Sequence, residues 1–211
     1  IEGLYEDQKQ GEKVKVTCTK SNEGFATAGG VQYVACAGNF KDAGLEYTGA
    51  LKVLQMIFSY EYLWIQIRVK GGAYGCMCSF SDQGDSMFVT YRDPNLSESY
   101  KVYDEAADYV VDFDADDRDM KKYIIGTIGS MDMPMEAVDM GARSFHAYFL
   151  DKTEADLQKV RDQVLSCTQE DIRALAPIVK AVVEAGNRCC IGNEEKIDQN
   201  KEYFDEVKHV L

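Results

Sequence analysis

Two adjacent glycines, Gly71 and Gly72, constrain the fold most, because they separate a long helical pattern from a strand-like pattern. The helical pattern ends near Ile67, and the strand-like pattern begins at Ala73. Glycine reaches positive φ without the steric penalty that a Cβ brings, so the pair can end a helix and turn the chain sharply. The sequence therefore predicts a helix, a tight turn and a strand in close succession.

An arginine and a tyrosine flank this turn, Arg68 on the helical side and Tyr74 on the strand side. Regular elements would hold both side chains close together, beside a backbone with little side-chain cover. Such a place suits the recognition of another peptide backbone. Spacing alone nevertheless favours a structural interpretation, in which Arg68 caps the C-terminus of the helix and Tyr74 fills a face of the strand.

Several segments before the turn carry recognisable patterns. Residues 1–12 are mostly polar and are predicted to be a flexible lead-in. Apolar and polar residues alternate over Val14–Cys18, and Val31–Ala37 is more continuously apolar, so both are predicted to be strands. A connection punctuated by glycines, residues 24–30, joins them. Over Tyr47–Ile67 the apolar residues recur every three or four positions, which predicts a helix that packs across the sheet.

After the turn, Ala73–Phe80 and Ser86–Arg92 are predicted to form an antiparallel pair, because the loop between them contains the Gly and Asp residues that suit a hairpin. A short strand is predicted later, at Arg188–Ile191. The last helix is expected to begin after Asn193 and to reach the C-terminus. Other helices are predicted over about 95–113, 114–129, 136–150, 153–165 and 168–184.

Helix caps support these boundaries. Thr153 and Thr168 each begin a capping box with aspartate in the N3 place, and Asn95 and Asn193 are further predicted N-caps. The order of strands, a long helix, a strand hairpin, several helices and a late strand predicts an α+β fold. We expect an antiparallel-rich mixed sheet with helices packed on one face, and a single domain over residues 1–211.

Composition excludes some classes of function. The formal net charge of −13 argues against nucleic-acid binding, which needs clustered lysine and arginine, and makes basic peptides more suitable partners. Lys52 and Gln55 interrupt the apolar run Leu51–Phe58, so no segment approaches the roughly 18 to 20 residues that span a bilayer, and no membrane association is expected.

The seven cysteines lack the spacing of a small secreted disulfide-bonded domain. Reduced, buried thiols in a cytoplasmic protein are therefore predicted. Cys76 and Cys78 would share one face of a strand, and neither this pair nor the adjacent Cys189 and Cys190 forms a Cys-x-x-Cys motif. These cysteines are interpreted as small apolar residues of the core.

No metal site is predicted in this chain. Its two histidines, His146 and His209, belong to no His-x-x-Glu-His or His-Glu-x-x-His arrangement. His146 is interpreted as a hydrogen-bonded structural residue and His209 as a surface residue. A phosphate loop at Gly71 and Gly72 is also excluded, because the order here is helix, glycines and strand, the reverse of a strand that leads into a helix N-terminus.

Two motifs resemble those of a known family. One is the run from Arg68 to Gly75, Arg-x-x-Gly-Gly-Ala-Tyr-Gly, and the other is Tyr-Arg-Asp-Pro-Asn at Tyr91–Asn95. Together with the helical tail they resemble the C-terminal domain of presequence proteases, which are pitrilysin-like (insulinase superfamily, M16) zinc metallopeptidases. The resemblance covers Tyr33–Leu211 and implies an M16-type fold, similar to LuxS and the mitochondrial processing peptidases.

The resemblance also implies roles for individual residues. In this family the N-terminal half holds zinc and the catalytic base, so zinc is expected in the full enzyme and no cofactor in this chain. The C-terminal half contributes an arginine and a tyrosine, which correspond to Arg68 and Tyr74. Arg68 would hold a backbone carbonyl of the substrate, and Tyr74 would donate its hydroxyl to the oxyanion at the scissile carbon. Gly71 and Gly72 would belong to the same substrate-binding site.

The implied function is that of a domain which completes a peptidase. Its expected partners are the N-terminal half of the same peptidase and peptide substrates enclosed in a chamber. Alone, the chain is expected to be inactive, and it could form a homodimer through the surface meant for the missing half. Two alternatives stay open: a non-catalytic scaffold of the same superfamily, and an independent acidic domain that binds peptides.

Overall fold

The computed structural model describes residues 19–210. Within this range one mixed sheet contains the strands β1 Glu23–Thr27, β2 Tyr33–Asn39, β3 Gly75–Phe80, β4 Asp85–Tyr91, β5 Asn187–Asn193 and β6 Glu206–His209. β4 pairs antiparallel with β3 and β2, and β2 pairs antiparallel with β5. β1 is parallel to both β5 and β6. The order β3-β4-β2-β5-β1-β6 confirms the predicted antiparallel-rich mixed sheet.

The helices of the described range are α1 Ala50–Ile57, α2 Ser97–Asp104, α3 Ala106–Val111, α4 Asp117–Met131, α5 Ala137–Phe149, α6 Glu154–Leu165, α7 Gln169–Arg173, α8 Ala176–Glu184 and α9 Glu194–Gln199. The backbone after α1 stays helical through two π-helical segments, Phe58–Tyr62 and Trp64–Lys70. The predicted long helix is therefore confirmed, although it runs from Ala50 to Lys70.

Helices bury one face of the sheet, as predicted. At the centre of this layer the ring of Phe88 lies 5.8 Å from that of Phe58, 6.0 Å from that of Phe80 and 5.4 Å from that of Tyr103, measured between centroids. The hydroxyl of Tyr103 donates a hydrogen bond to the carbonyl oxygen of Val34 at 3.2 Å, so this buried polar group is satisfied.

The opposite face, called here the open sheet face, is not covered by any described residue. Alternate residues of the strands point to it, and the exposed apolar ones are Tyr33, Met77, Met87, Tyr91 and Ile191. An exposed apolar surface of this kind is typical of an interaction site.

Two predictions at the ends of the described range were wrong. The segment that includes Gly24 was predicted to be a connection but forms β1. A glycine stands in this strand because Ile197 and Phe204 pack closely against it, 3.0 Å from the position that a Cβ on Gly24 would take. The last helix does not reach the C-terminus: α9 ends at Gln199, and β6 follows as an edge strand of the sheet.

Several helix boundaries also differ from prediction. The helix expected over 95–113 is divided between α2 and α3, and that expected over 168–184 between α7 and α8. Asn95 does not cap α2, whereas the capping boxes at Thr153 and Thr168 and the N-cap at Asn193 are confirmed. The predicted lead-in and the strand at Val14–Cys18 lie outside the described residues. Over residues 19–210, no helix has the length and apolar character needed to cross a membrane.

Candidate functional site

The turn after the long helix depends on both glycines. Gly72 has a φ of +81°, in the left-handed region. A Cβ on Gly71 would lie 2.5 Å from the carbonyl oxygen of Ile67, so a larger residue does not fit. The amides of Gly72 and Ala73 donate to the carbonyl oxygens of Arg68 and Ile67 at 3.0 and 3.1 Å, which satisfies the last helical turn. The predicted change from helix to strand occurs here.

The helix that enters this turn is π-helical. The amide of Gly71 donates to the carbonyl oxygen of Gln66, five residues back, at 3.1 Å. π-Helical turns are rare and are frequent at functional sites. This segment brings the side chains of Trp64 and Arg68 together at the end of the long helix.

The guanidinium of Arg68 lies close to two aromatic rings. Its Cζ atom is 4.5 Å from the centroid of the Trp64 ring and 5.4 Å from that of the Tyr74 ring. No carboxylate among residues 19–210 forms a salt bridge with Arg68. A guanidinium keeps its charge and offers a rigid set of N–H donors, so Arg68 can bind a carbonyl or carboxylate oxygen.

Tyr74 is exposed at the start of β3, with 64% of its surface accessible. Its ring meets that of Tyr91 edge to face at 5.8 Å, and Tyr91 meets Tyr33 in the same way at 5.5 Å. These three tyrosines and Trp64 form an aromatic row, which leads from the long helix onto the open sheet face. Arg68 and Tyr74, predicted together from the sequence, are therefore neighbours at one end of this face.

The second sequence motif supports the turn. The side-chain Nδ2 of Asn95 donates to the carbonyl oxygen of Gly71 at 2.6 Å. The amide of Tyr74 donates to the carbonyl oxygen of Arg92 at 3.3 Å, and Arg92 has an unusual φ of +51°. Asn95 was predicted only as a helix cap and Arg92 had no predicted role, although their place in the second motif was the available signal.

Asp93 holds this second motif in place from a fully buried position. Its carboxylate accepts hydrogen bonds from the hydroxyl of Ser99 at 2.6 Å and from the amide of Asn95 at 2.9 Å. Burial nevertheless raises the pKa of the Asp93 carboxyl, against the opposing effect of these hydrogen bonds. The backbone of Asp93 also exchanges two hydrogen bonds with that of Gln32, at 2.7 and 2.8 Å. The motif is thereby joined to the start of β2.

Burial raises the pKa of the cysteine thiols near the site, which disfavours the reactive thiolate at neutral pH. Cys76, on β3, is half-buried, and burial raises its thiol pKa to about 11, against the lowering effect of Arg68. Cys78 is buried, and its pKa is raised well above the ordinary range. The cysteines of the described range are free, as predicted, although Cys76 and Cys189 are only partly buried.

The described residues do not fit a zinc ion. Within residues 19–210, no three His, Cys, Asp or Glu side chains converge as a metal site. His146 is exposed on α5 and is not a hydrogen-bonded structural residue, so that prediction was wrong. His209 is exposed, as predicted, with its Nδ1 3.4 Å from a carboxylate oxygen of Glu194.

Comparison with known sequences identifies the family. Residues 22–193 match the family described as "PreP C-terminal domain", which covers most of the chain. The chain belongs to the PreP C-terminal domain family. The expected resemblance to presequence proteases is thereby confirmed.

Two curated relatives of this PreP C-terminal domain are much longer proteins. "Protein HypA" of Clostridium perfringens is 43% identical over 192 residues, which cover 91% of this chain and 20% of that protein. "Presequence protease 1, chloroplastic/mitochondrial" of Arabidopsis thaliana is 33% identical over 194 residues, which cover 90% of this chain and 18% of that protein. The chain thus spans about a fifth of their length. A cytoplasmic location stays a prediction, because the name of the Arabidopsis relative refers to chloroplasts and mitochondria.

A solved structure shares the fold of this PreP C-terminal domain. It is the "peptidase M16 inactive domain" from Pseudomonas fluorescens, with a TM-score of 0.58 and 14% identity. The match covers 84% of this chain and 45% of that one. The predicted M16-type fold is confirmed by this similarity.

Proposed function

We propose that this chain is the C-terminal domain, without a zinc site of its own, of a zinc metalloendopeptidase that degrades peptides in a closed chamber. In this proposal Arg68 binds a backbone carbonyl of the substrate. Tyr74 donates its hydroxyl to the oxyanion that forms at the scissile carbon. Gly71 and Gly72 allow the substrate backbone to approach the turn, because they present no side chain.

The Arg68 and Tyr74 pair is the observation that carries this proposal. The guanidinium has no carboxylate partner among the described residues, yet it contacts the Trp64 and Tyr74 rings. An arginine placed only for stability would normally be paired with a carboxylate or extended into water. Donors that are already in position stabilise developing charge without reorganisation during the reaction.

The open sheet face supports the part of the proposal that concerns the chamber. Its exposed apolar residues begin beside Tyr74, through the contact of Tyr74 with Tyr91. A peptide held at Arg68 would therefore lie next to an apolar wall. Zinc, the catalytic base and the rest of the chamber would be supplied by the N-terminal half of the same peptidase, and the isolated domain would be inactive.

The substrate class follows from the charge of the chain. With a net charge of −13, the domain attracts basic peptides and repels acidic ones. Unpaired Arg68 is a local exception, and its role would be to bind main-chain oxygen rather than acidic side chains. Basic peptides are therefore the proposed substrates.

Substitution of Arg68 distinguishes this function from a non-catalytic scaffold. In the full-length protein with zinc, we expect Arg68→Ala to lower kcat/KM for peptide hydrolysis about 10- to 100-fold, since hydrogen bonds to charged groups contribute about 1.5–3 kcal/mol. Arg118→Ala, at an exposed position of α4, is the control and should keep full activity. A full-length protein that hydrolyses no peptide, or that is indifferent to Arg68→Ala, would favour the scaffold.

A further inference from the structure

Helix α5 carries a large apolar surface that its own domain does not use. None of its residues, Ala137–Phe149, is buried. Val138, Phe145, Tyr148 and Phe149 are 73%, 62%, 78% and 67% exposed. With 3.6 residues per turn these four side chains fall within a sector about 100° wide. We call them the α5 apolar face.

The aromatic members of this face form a cluster. The ring centroids of Phe145 and Phe149 are 4.6 Å apart, and those of Tyr148 and Phe149 are 5.6 Å apart. Gly141 and Ala142 lie between Val138 and Phe145 on the same side of the helix. The face therefore combines projecting rings with a shallow depression, a shape that can interdigitate with another apolar surface.

The opposite side of α5 is the one turned toward the domain. Arg143 lines a cavity together with Asp82, Lys152 and Leu157. Asp82 belongs to the loop between β3 and β4, Lys152 follows α5, and Leu157 lies on α6. Ala147 is the least exposed residue of the helix and also lies on this side. A helix that serves only to cover its own domain has the reverse arrangement, with the apolar side inward and the polar side outward. The orientation of α5 is thus that of a helix whose apolar side packs against a partner outside the described residues.

The composition of α5 restricts that partner. Asp139 and Arg143 are its only residues with a full charge at neutral pH, and they cancel. A helix that binds a lipid surface is rich in lysine and arginine on its polar side, whereas α5 has only Arg143 there. An apolar protein surface is the partner that fits.

The curated relatives of this chain are much longer proteins. The chain spans 20% and 18% of its two curated relatives, and the matched family is a C-terminal domain. The solved M16 structure is also about twice as long as the part that matches. A preceding domain of the same polypeptide is held at high effective concentration, which favours it over a second copy of the chain.

We propose that the α5 apolar face is the surface on which the preceding part of the same polypeptide docks, through an apolar surface of its own. This inference rests on the part of the proposed function that places the chain in a longer polypeptide. It is independent of the roles of Arg68 and Tyr74, and its test does not use activity.

Photo-cross-linking in the full-length protein identifies the occupant. A photoreactive benzoylphenylalanine is placed at Phe145, and, as a matched control, at Ile125, which is 71% exposed on α4. The expected result is a cross-link from position 145, within one polypeptide, to a peptide that precedes this domain, with little from position 125. A cross-link between two copies would overturn the proposal in favour of a homodimer.

A second measurement covers the case in which no cross-link forms. Phe145→Ser combined with Phe149→Ser should accelerate proteolytic cleavage near α5 in the full-length protein at least about tenfold, because the docked helix would be released. Ile125→Ser should leave that rate unchanged. Equal cleavage rates in the wild type and the double variant, without a cross-link, would show that the α5 apolar face is free and would overturn the proposal.

Discussion

The guanidinium carbon of Arg68 lies 4.5 Å from the centre of the Trp64 ring, one helical turn earlier in the chain. The ring of Tyr74 also lies near this guanidinium, with its centroid 5.4 Å from the Cζ atom. Attraction between a cation and the face of an aromatic ring contributes about 0.5–1 kcal/mol at exposed sites. Trp64 therefore favours this position of Arg68 without neutralising its charge.

Removal of the Trp64 ring should weaken the proposed site through Arg68. We expect Trp64→Ala to lower kcat/KM of the full-length enzyme about two- to fivefold, the equivalent of the lost ring contact. In an Arg68→Ala background the same substitution should have no further effect. Equal losses in both backgrounds would show that Trp64 acts independently of Arg68.

Asn95 should be required for the geometry of the turn. Asn95→Ala removes the hydrogen bond to Gly71 and is expected to destabilise the domain by about 1–2 kcal/mol and to lower kcat/KM. Asn187→Ala is a matched control, because Asn187 donates a similar bond to the carbonyl of Ala37 far along the sheet. Denaturant unfolding should give comparable losses of stability for the two variants, while only Asn95→Ala impairs hydrolysis. Impairment by both would mean that stability alone is limiting.

Gly72 should tolerate no side chain without loss of function. At its φ of +81° a Cβ costs roughly 1–2 kcal/mol, and Gly72→Ala is expected to lower both stability and kcat/KM. Gly44 has a φ of +73° with open space around it, so Gly44→Ala imposes the same backbone strain away from the site. If both variants hydrolyse peptide at the wild-type rate, the turn is not part of the site.

Alkaline pH should destabilise the domain through its buried thiols. Burial raises the pKa of Cys36 from 9.0 to about 11. Between these values the unfolded thiol loses its proton and the native thiol keeps it, so stability is full below pH 9 and falls as pH rises toward 11. The slope from one such group approaches about 1.4 kcal/mol per pH unit. Cys36→Ala should reduce the slope of the free energy of unfolding against pH by this amount, in denaturant titrations from pH 8 to 11. An unchanged slope would show that the Cys36 thiol does not cause the loss of stability.

The sequence predicted those features that depend on local chemistry. Gly71 and Gly72 predicted the turn, and Thr153 and Thr168 predicted helix starts, because each of these residues acts within a few positions of itself. Gly24 was misinterpreted because its role in β1 depends on Ile197 and Phe204, which are distant in the sequence.

The candidate site was predicted only in part, because some of its contacts join residues that are distant in the sequence. Arg68 and Tyr74 were found from a motif, whereas the contact of Arg68 with Trp64 was not predicted, although a spacing of four residues makes neighbours on a helix. The support from Asn95 depends on a hydrogen bond across 24 positions of sequence. For α5, the pattern predicted a helix but not which side would face the domain, since that is decided by packing.

The most direct test of the central claim is the rate of peptide hydrolysis by full-length Tyr74→Phe enzyme with zinc. This change removes one hydroxyl and keeps the ring contacts, and Tyr60→Phe is a control with nearly the same exposure, 65% against 64%. If Tyr74 stabilises the oxyanion, kcat should fall about 10²–10³-fold with little change in KM, while Tyr60→Phe stays near the wild-type rate. A Tyr74→Phe enzyme with the wild-type kcat would show that Tyr74 does not stabilise the oxyanion.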